Sequence, residues 1–172
     1  MSKLNPFSTN GTIQVASHRR DLAPRNVATF YSRADALYRC ALECCRQHER
    51  LARLVRGGVI GAEQRAAETL VSVAGDALVD MANAYEATAT RVCAESDGAC
   101  WQAANALWMA SREYARRQRT AHRVARDLGD GKHSTQKLAE LAVDYDLQAS
   151  ALLQLRQAAE NYRRTRPQVA AA

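Results

Sequence analysis

The stretch that decides the fold is residues 29–56, TFYSRADALYRCALECCRQHERLARLVR. Its apolar residues recur every three or four positions, which is the spacing that places side chains on one face of an α-helix. Counted from just before the stretch, that face consists of Val27, Phe30, Ala34, Leu37, Ala41, Cys44, His48, Leu51 and Val55. Most charged residues fall on the other positions. The spacing therefore predicts a long amphipathic helix with one histidine on its inward face.

Glycine-containing breaks divide the rest of the chain into three further helical stretches. The pattern predicts helices over residues 26–56, 62–95, 99–128 and 134–165, with glycines at the breaks as usual helix ends. The same spacing places Leu70 on the inward face of helix 2, Tyr114 on that of helix 3, and Leu138, Tyr145 and Gln148 on that of helix 4. Short connections make consecutive helices antiparallel. We therefore predict an all-α, up-down-up-down four-helix bundle over residues 25–166. A dimer of helical hairpins would bury the same faces and remains an alternative.

The two ends of the chain lack this helical pattern. Residues 1–24 hold few large apolar side chains, which predicts a flexible N-terminal arm, and residues 167–172 predict a loose tail. The first residues also lack the basic flank and apolar run of a secretory signal. The longest charge-free helical run has 14 residues, and a membrane span needs about 20 apolar ones. We expect no membrane span and a cytoplasmic location.

Composition favours some classes of function over others. A length of 172 residues fits one domain, and a net charge of +6 favours an anionic partner without requiring one. The sequence contains no phosphate-binding loop, nucleophile elbow or zinc motif. It also lacks the Glu-x-x-His motif of ferritin-like di-iron bundles. We therefore expect a non-enzymatic helical interaction or scaffold protein, without a cofactor, while an enzymatic role stays open.

An arginine stripe on helix 3 is the most specific feature of the sequence. Its residues are spaced 4, 3, 4 and 3 apart, and they are Arg112, Arg116, Arg119, Arg123 and Arg126. The topology brings Arg50 and Arg53 of helix 1 to the same end, which predicts an arginine-rich pole. Guanidinium groups bind carboxylates and phosphates, so the expected partner is an acidic protein or another polyanion. In the alternative interpretation the stripe is a solvated face that pairs internally with Glu140, Asp144 and Asp146.

The half of helix 3 before the stripe carries two tryptophans and no charge. Trp101 and Trp108 are seven residues apart, and nine of the eleven residues from 100 to 110 are apolar. Such a segment is either the most enclosed part of the bundle or a contact with another subunit. Tryptophan is enriched at subunit interfaces. We expect Trp101 and Trp108 to form an oligomer contact, which makes a second copy of the chain a predicted partner.

The alternative function is a small metal-binding bundle that uses ligands on helix 1. Residues four apart on a helix lie above one another, and thiolates and imidazole bind copper or zinc. The candidate ligands are Cys40, Cys44, Cys45 and His48. The C-x-x-x-C at Cys40 and Cys44 resembles the motif of bacterial four-helix copper-storage proteins, which repeat it on several helices, whereas it occurs once here. Without a metal, the cysteines would pack as small apolar residues, and Asp144 is the expected partner of His48.

Overall fold

The computed structural model describes residues 24–89, 98–129 and 135–166. These residues form four helices without a strand: α1 (Pro24–Arg56), α2 (Ala62–Ala89), α3 (Gly98–Gly129) and α4 (Thr135–Thr165). The predicted arm up to residue 23, the predicted tail and the predicted end of helix 2 at Glu95 lie outside the described residues. No helix within the described ranges is long and apolar enough to cross a membrane.

Consecutive helices are antiparallel, as predicted. Tyr85 near the end of α2 donates a hydrogen bond to Asn105 near the start of α3, at 3.0 Å. Tyr162 near the end of α4 donates to Asp35 near the start of α1, also at 3.0 Å. The most extensive contacts join α1 to α2 and α3 to α4, whereas α1 and α3 contact each other little and no close backbone contact joins the described parts of α2 and α4. The architecture is an up-down-up-down four-helix bundle in which α1 and α3 are diagonal to each other.

The turn between α1 and α2 explains why the first helix ends where it does. Gly58 has a positive φ of 69°, a conformation that glycine adopts without steric cost. Its amide bonds to the carbonyl of Val55 at 3.1 Å, and the amide of Val59 bonds to that of Leu54 at 3.0 Å. These two bonds form a Schellman motif, which satisfies carbonyls that the end of a helix would otherwise leave unpaired.

The inward face of α1 matches the prediction from Phe30 to Cys44, whereas Val55, also predicted to face inward, is 56% exposed near the end of the helix. Phe30 and Leu37 are buried. On α2 the predicted face is displaced by about one position, because Val71, Leu78 and Tyr85 are buried while Leu70 is 38% exposed. Alanines occur on all sides of α2, so its apolar stripe is poorly defined. The few large side chains therefore determine which face is buried.

Helix α4 is buried only in its second half, which corrects the predicted inward face. Its buried residues are Ala151, Leu155, Ala159 and Tyr162. In the first half Leu138 and Tyr145, both predicted to face inward, are 53% and 49% exposed. The end of the bundle where α1 and α3 finish is therefore the less closely packed end.

Candidate functional site

The first part of the arginine stripe is paired with acidic residues. Arg112 donates to Glu86 of α2 at 2.5 Å. Arg116 binds Glu113 through two bonds, of 2.9 and 2.8 Å, and Arg117 adds a third at 2.7 Å. These hydrogen bonds from Arg116 and Arg117 lower the pKa of Glu113 to about 2. The positive charge at this part of α3 is thus largely offset.

The second part of the stripe stays unpaired within the described part of the chain. Arg119 bonds only to the carbonyl of Ala115 in its own helix, at 3.3 Å. Arg123 and Arg126 are exposed, and no ion pair with a described residue involves them. Nor does any described ion pair join the stripe to its expected acidic partners on α4, which are Glu140, Asp144 and Asp146. Three guanidinium groups, one turn apart, therefore remain available along one line of α3.

Arg50 and Arg53 of α1 lie at the same end of the bundle but on another side. Both are exposed, and neither forms an ion pair with a described residue. Because α1 and α3 are diagonal, their outer faces point in different directions. The arginines of the predicted pole therefore come from two helices that are diagonal to each other in the bundle.

The tryptophan half of α3, residues 98–110, meets the arginine stripe at a shallow groove. Trp101 and Trp108 are half-buried and pack against the core. The groove, of about 400 Å³, is lined by Trp108, the 65% exposed Met109 and the first arginines of the stripe. The guanidinium of Arg112 lies 5.5 Å from the ring centre of Trp108, within cation–π range. An apolar surface and a basic surface are thus continuous along the outside of α3. The sequence showed Met109 only as an apolar residue, because its exposure depends on how α3 is rotated in the bundle.

The cysteines of α1 are in the core. Cys44 and Cys45 are buried and Cys40 is half-buried. Burial raises the pKa of each thiol, and that of Cys44 reaches about 12. The thiolate is the form that binds metals, so this environment disfavours it. Among the described residues there is no group of three or more histidine, cysteine or acidic side chains placed to hold a metal ion.

His48 forms two hydrogen bonds, neither of them with the expected partner Asp144. Its Nδ1 lies 3.0 Å from the carbonyl oxygen of Cys44, which can only accept, so Nδ1 carries the proton. Nε2 then accepts a hydrogen bond from the hydroxyl of Tyr114, also at 3.0 Å. Desolvation lowers the pKa of His48, with a smaller contribution from nearby His122. The ring is therefore a neutral, fully bonded group between α1 and α3.

Two residues of the hydrogen-bond network around His48 could be predicted from the sequence to face the core. Tyr114 is on the predicted inward face of helix 3, and Gln148 is on that of helix 4. In the structure the Tyr114 hydroxyl interacts with the side chains of both Cys44 and Gln148. The prediction of Asp144 was wrong, because the side chain that bonds to His48 comes from α3 and not from α4. Counting residues from a turn predicts the level of a contact but not the rotation of each helix about its axis.

Comparison with known proteins identifies no relative. No protein-family model, no curated protein and no solved structure matches the chain.

Proposed function

We propose that this chain is a non-enzymatic helical interaction protein, which self-associates and binds an acidic partner through the arginine stripe of α3. The observation that carries the proposal is the second half of the stripe. Arg119, Arg123 and Arg126 are aligned on one helix face and have no ion pair with a described residue. Exposed arginines that a bundle does not use internally are free to bind a carboxylate partner.

The spacing of these arginines suits a helical partner. Positions 119, 123 and 126 are one helical turn apart, so their side chains form a row along the axis. An acidic helix with glutamates at the same spacing, packed against α3, would face each guanidinium with one carboxylate. Proteins that bind single-stranded nucleic acid instead place aromatic side chains among the basic ones for base stacking. On α3 the exposed ring lies only at the start of the stripe, at Trp108, which favours the protein partner.

The groove at Trp108 supports the self-associating part of the proposal. Met109 exposes a large apolar side chain beside a half-buried tryptophan. Clusters of methionine and tryptophan are enriched in the cores of subunit interfaces. The acidic partner and the second copy would then occupy neighbouring stretches of one helix.

The test uses a labelled helical peptide with glutamates at the spacing of the stripe, and its binding is followed by fluorescence anisotropy. Replacing Arg119, Arg123 and Arg126 together with glutamine should weaken binding by about tenfold, because three exposed ion pairs are lost. The matched control replaces Arg33, Arg163 and Arg164, which removes the same charge at the opposite end of the bundle. It should change binding less than twofold.

Two results would overturn the proposal. Equal losses in both variants would mean that only the net charge matters. Tighter binding of single-stranded DNA than of the acidic peptide, at equal salt, would identify the stripe as a nucleic-acid surface instead.

A further inference from the structure

A cavity of about 610 Å³ lies at the less closely packed end of the bundle, among all four helices. This volume is within the range of small-molecule binding sites, which often lie between the helices of a bundle. The cavity exists because no residue from 135 to 150 of α4 is buried, so this half of the helix does not close against its neighbours. Leu51, Val71 and Leu152 form apolar walls on three of the helices.

The charged residues that line the cavity are acidic, whereas the surface around this end of the bundle is basic. Arginines dominate this end of α1 and α3, yet no arginine or lysine lines the cavity. Two carboxylates line it instead, Glu49 of α1 and Glu68 of α2. Glu49 pairs with Arg156, while Glu68 accepts a hydrogen bond from the neutral amide of Gln64, at 2.8 Å. Glu68 thus has no cationic partner among the described residues and keeps its negative charge uncompensated.

The other polar side chains of the cavity include no guanidinium or ammonium group; they are those of His48, His122, Tyr145 and Gln148. The ring of His48 stays neutral because burial lowers its pKa. Gln148 contributes an amide, and Tyr145 contributes an aromatic ring from α4. Aromatic faces attract organic cations. Apolar walls, one uncompensated carboxylate and an aromatic ring form a site for a molecule that is itself apolar with one positive end.

We propose that this cavity binds a small apolar ligand bearing a single ammonium group, with the ammonium at Glu68 and the apolar body between Leu51 and Leu152. The proposal is independent of the arginine stripe, because the stripe faces solvent on α3. A carboxylate ligand would be repelled by Glu68, and a metal ion lacks a sufficient group of ligands among the described residues.

The test compares three probes of the same shape by isothermal titration calorimetry: phenylbutylamine, phenylbutanol and phenylbutyrate. The amine should bind the full-length protein about tenfold more tightly than the alcohol, and the carboxylate should bind most weakly. Glu68→Gln should weaken the amine about fivefold and leave the alcohol unchanged, because only the charged contact is lost. Glu63→Gln is the matched control, because this acid is in the first turn of the same helix and does not line the cavity.

Filling the cavity provides a second arm of the test. Ala149 lines the cavity and is exposed, so Ala149→Trp should occupy the space without disturbing the core, and binding of both amine and alcohol should be lost. Circular dichroism checks the fold, and Ala52→Leu, also at an exposed lining position, replaces this variant if the tryptophan unfolds the protein. The proposal is overturned if the amine does not bind, if phenylbutyrate binds as tightly, or if filling the cavity has no effect.

Discussion

At the scale of single residues, His48 places a polar ring on an otherwise apolar helix face, and its hydrogen bonds keep the energetic cost of burial low. A buried group with an unmet hydrogen bond costs about 1–3 kcal/mol. Here the carbonyl of Cys44 and the hydroxyl of Tyr114 satisfy both ring nitrogens. A second proton would turn Nε2 into a donor, so the Tyr114 hydroxyl would have to rotate and accept from it, and a charged ring would be held in a desolvated position. His48 should therefore make the bundle sensitive to acid.

We predict that protonation of His48 lowers the free energy of unfolding as the pH falls below 6.5, the usual pKa of a histidine. Its pKa is lowered in the folded chain, so the unfolded chain binds more protons in that range. The free energy of unfolding is fully retained above pH 6.5 and decreases as the pH falls towards the folded pKa, by at most about 1.4 kcal/mol per pH unit. Urea denaturation at pH 7.5 and 5.0 measures the loss.

The comparison with His48→Gln isolates this effect from that of the carboxylates. The variant should lose less stability than the wild type between the two pH values. His122→Gln is the control, since His122 is exposed and accounts for only a smaller part of the lowered pKa of His48, and it should follow the wild type more closely than His48→Gln does. If His48→Gln shows the same pH dependence as the wild type, the ring is solvated in the folded protein.

At the scale of helices, α2 and α3 are held in register by a glycine that makes room for a glutamine. Gln118 is buried at 5% exposure, and its Nε2 donates to the carbonyl of Val71 at 3.4 Å. A Cβ added to Gly75 would lie 2.0 Å from Oε1 of Gln118 and 2.7 Å from its Cδ. The glycine is therefore required by packing, although it lowers the helix propensity of α2.

We predict that Gly75→Ala destabilises the bundle by up to about 2 kcal/mol. The gain in helix propensity, about 1 kcal/mol, is smaller than the cost of displacing a buried amide from its partner. In a Gln118→Ala background the same change should stabilise the protein, because the new methyl group then has space. A double-mutant cycle by urea denaturation measures the difference.

The exposed Ala77→Gly change provides the reference for helix propensity alone on the same helix. It should cost about 1 kcal/mol in both backgrounds. If Gly75→Ala stabilises the wild type as well, Gln118 moves aside freely and does not position α2 against α3.

At the scale of the whole molecule, charge is distributed by helix. The segment of α2 holds five acidic residues and one arginine, whereas α3 holds six arginines and two acids. Helix α1 is also basic, with seven arginines and three acids. Since α2 lies between α1 and α3, each basic helix has an acidic neighbour and the two basic helices are diagonal. This pattern favours the observed arrangement and leaves the basic outer faces of α1 and α3 for partners.

We predict that a second copy of the chain packs on the groove at Trp108. Met109→Glu places a charge on this 65% exposed position, so it should break the contact without disturbing the core. Light scattering at high concentration should show the mass of the wild type fall to that of the 18.9 kDa monomer in the variant. Leu153→Glu, at a 56% exposed position on α4, is the matched control and should not change the mass. A wild-type protein that is already monomeric would contradict the prediction.

The sequence by itself determined the helices and the order in which they run. The spacing of large apolar residues such as Phe30 and Leu37 predicts a helix directly, because burial of one face is what stabilises an amphipathic helix. Glycines such as Gly58 locate the ends, since a left-handed turn favours them. Short connections then leave antiparallel packing as the simplest way to bury the faces. The arginine stripe was visible for the same reason, because it follows the period of one helix.

Only the tertiary structure decided which side chains meet. The contact of His48 with Tyr114 depends on the rotation of α1 and α3 about their axes, and a one-dimensional pattern does not specify that angle. The same applies to Leu70, which turns outward because Val71, Leu78 and Tyr85 occupy the core face of alanine-rich α2. The cavity beside Glu68 arises where α4 fails to close, which is a property of four helices packed together. The sequence sets the spacing of residues along each helix. Which helix faces fit together depends on how all side chains pack into one core.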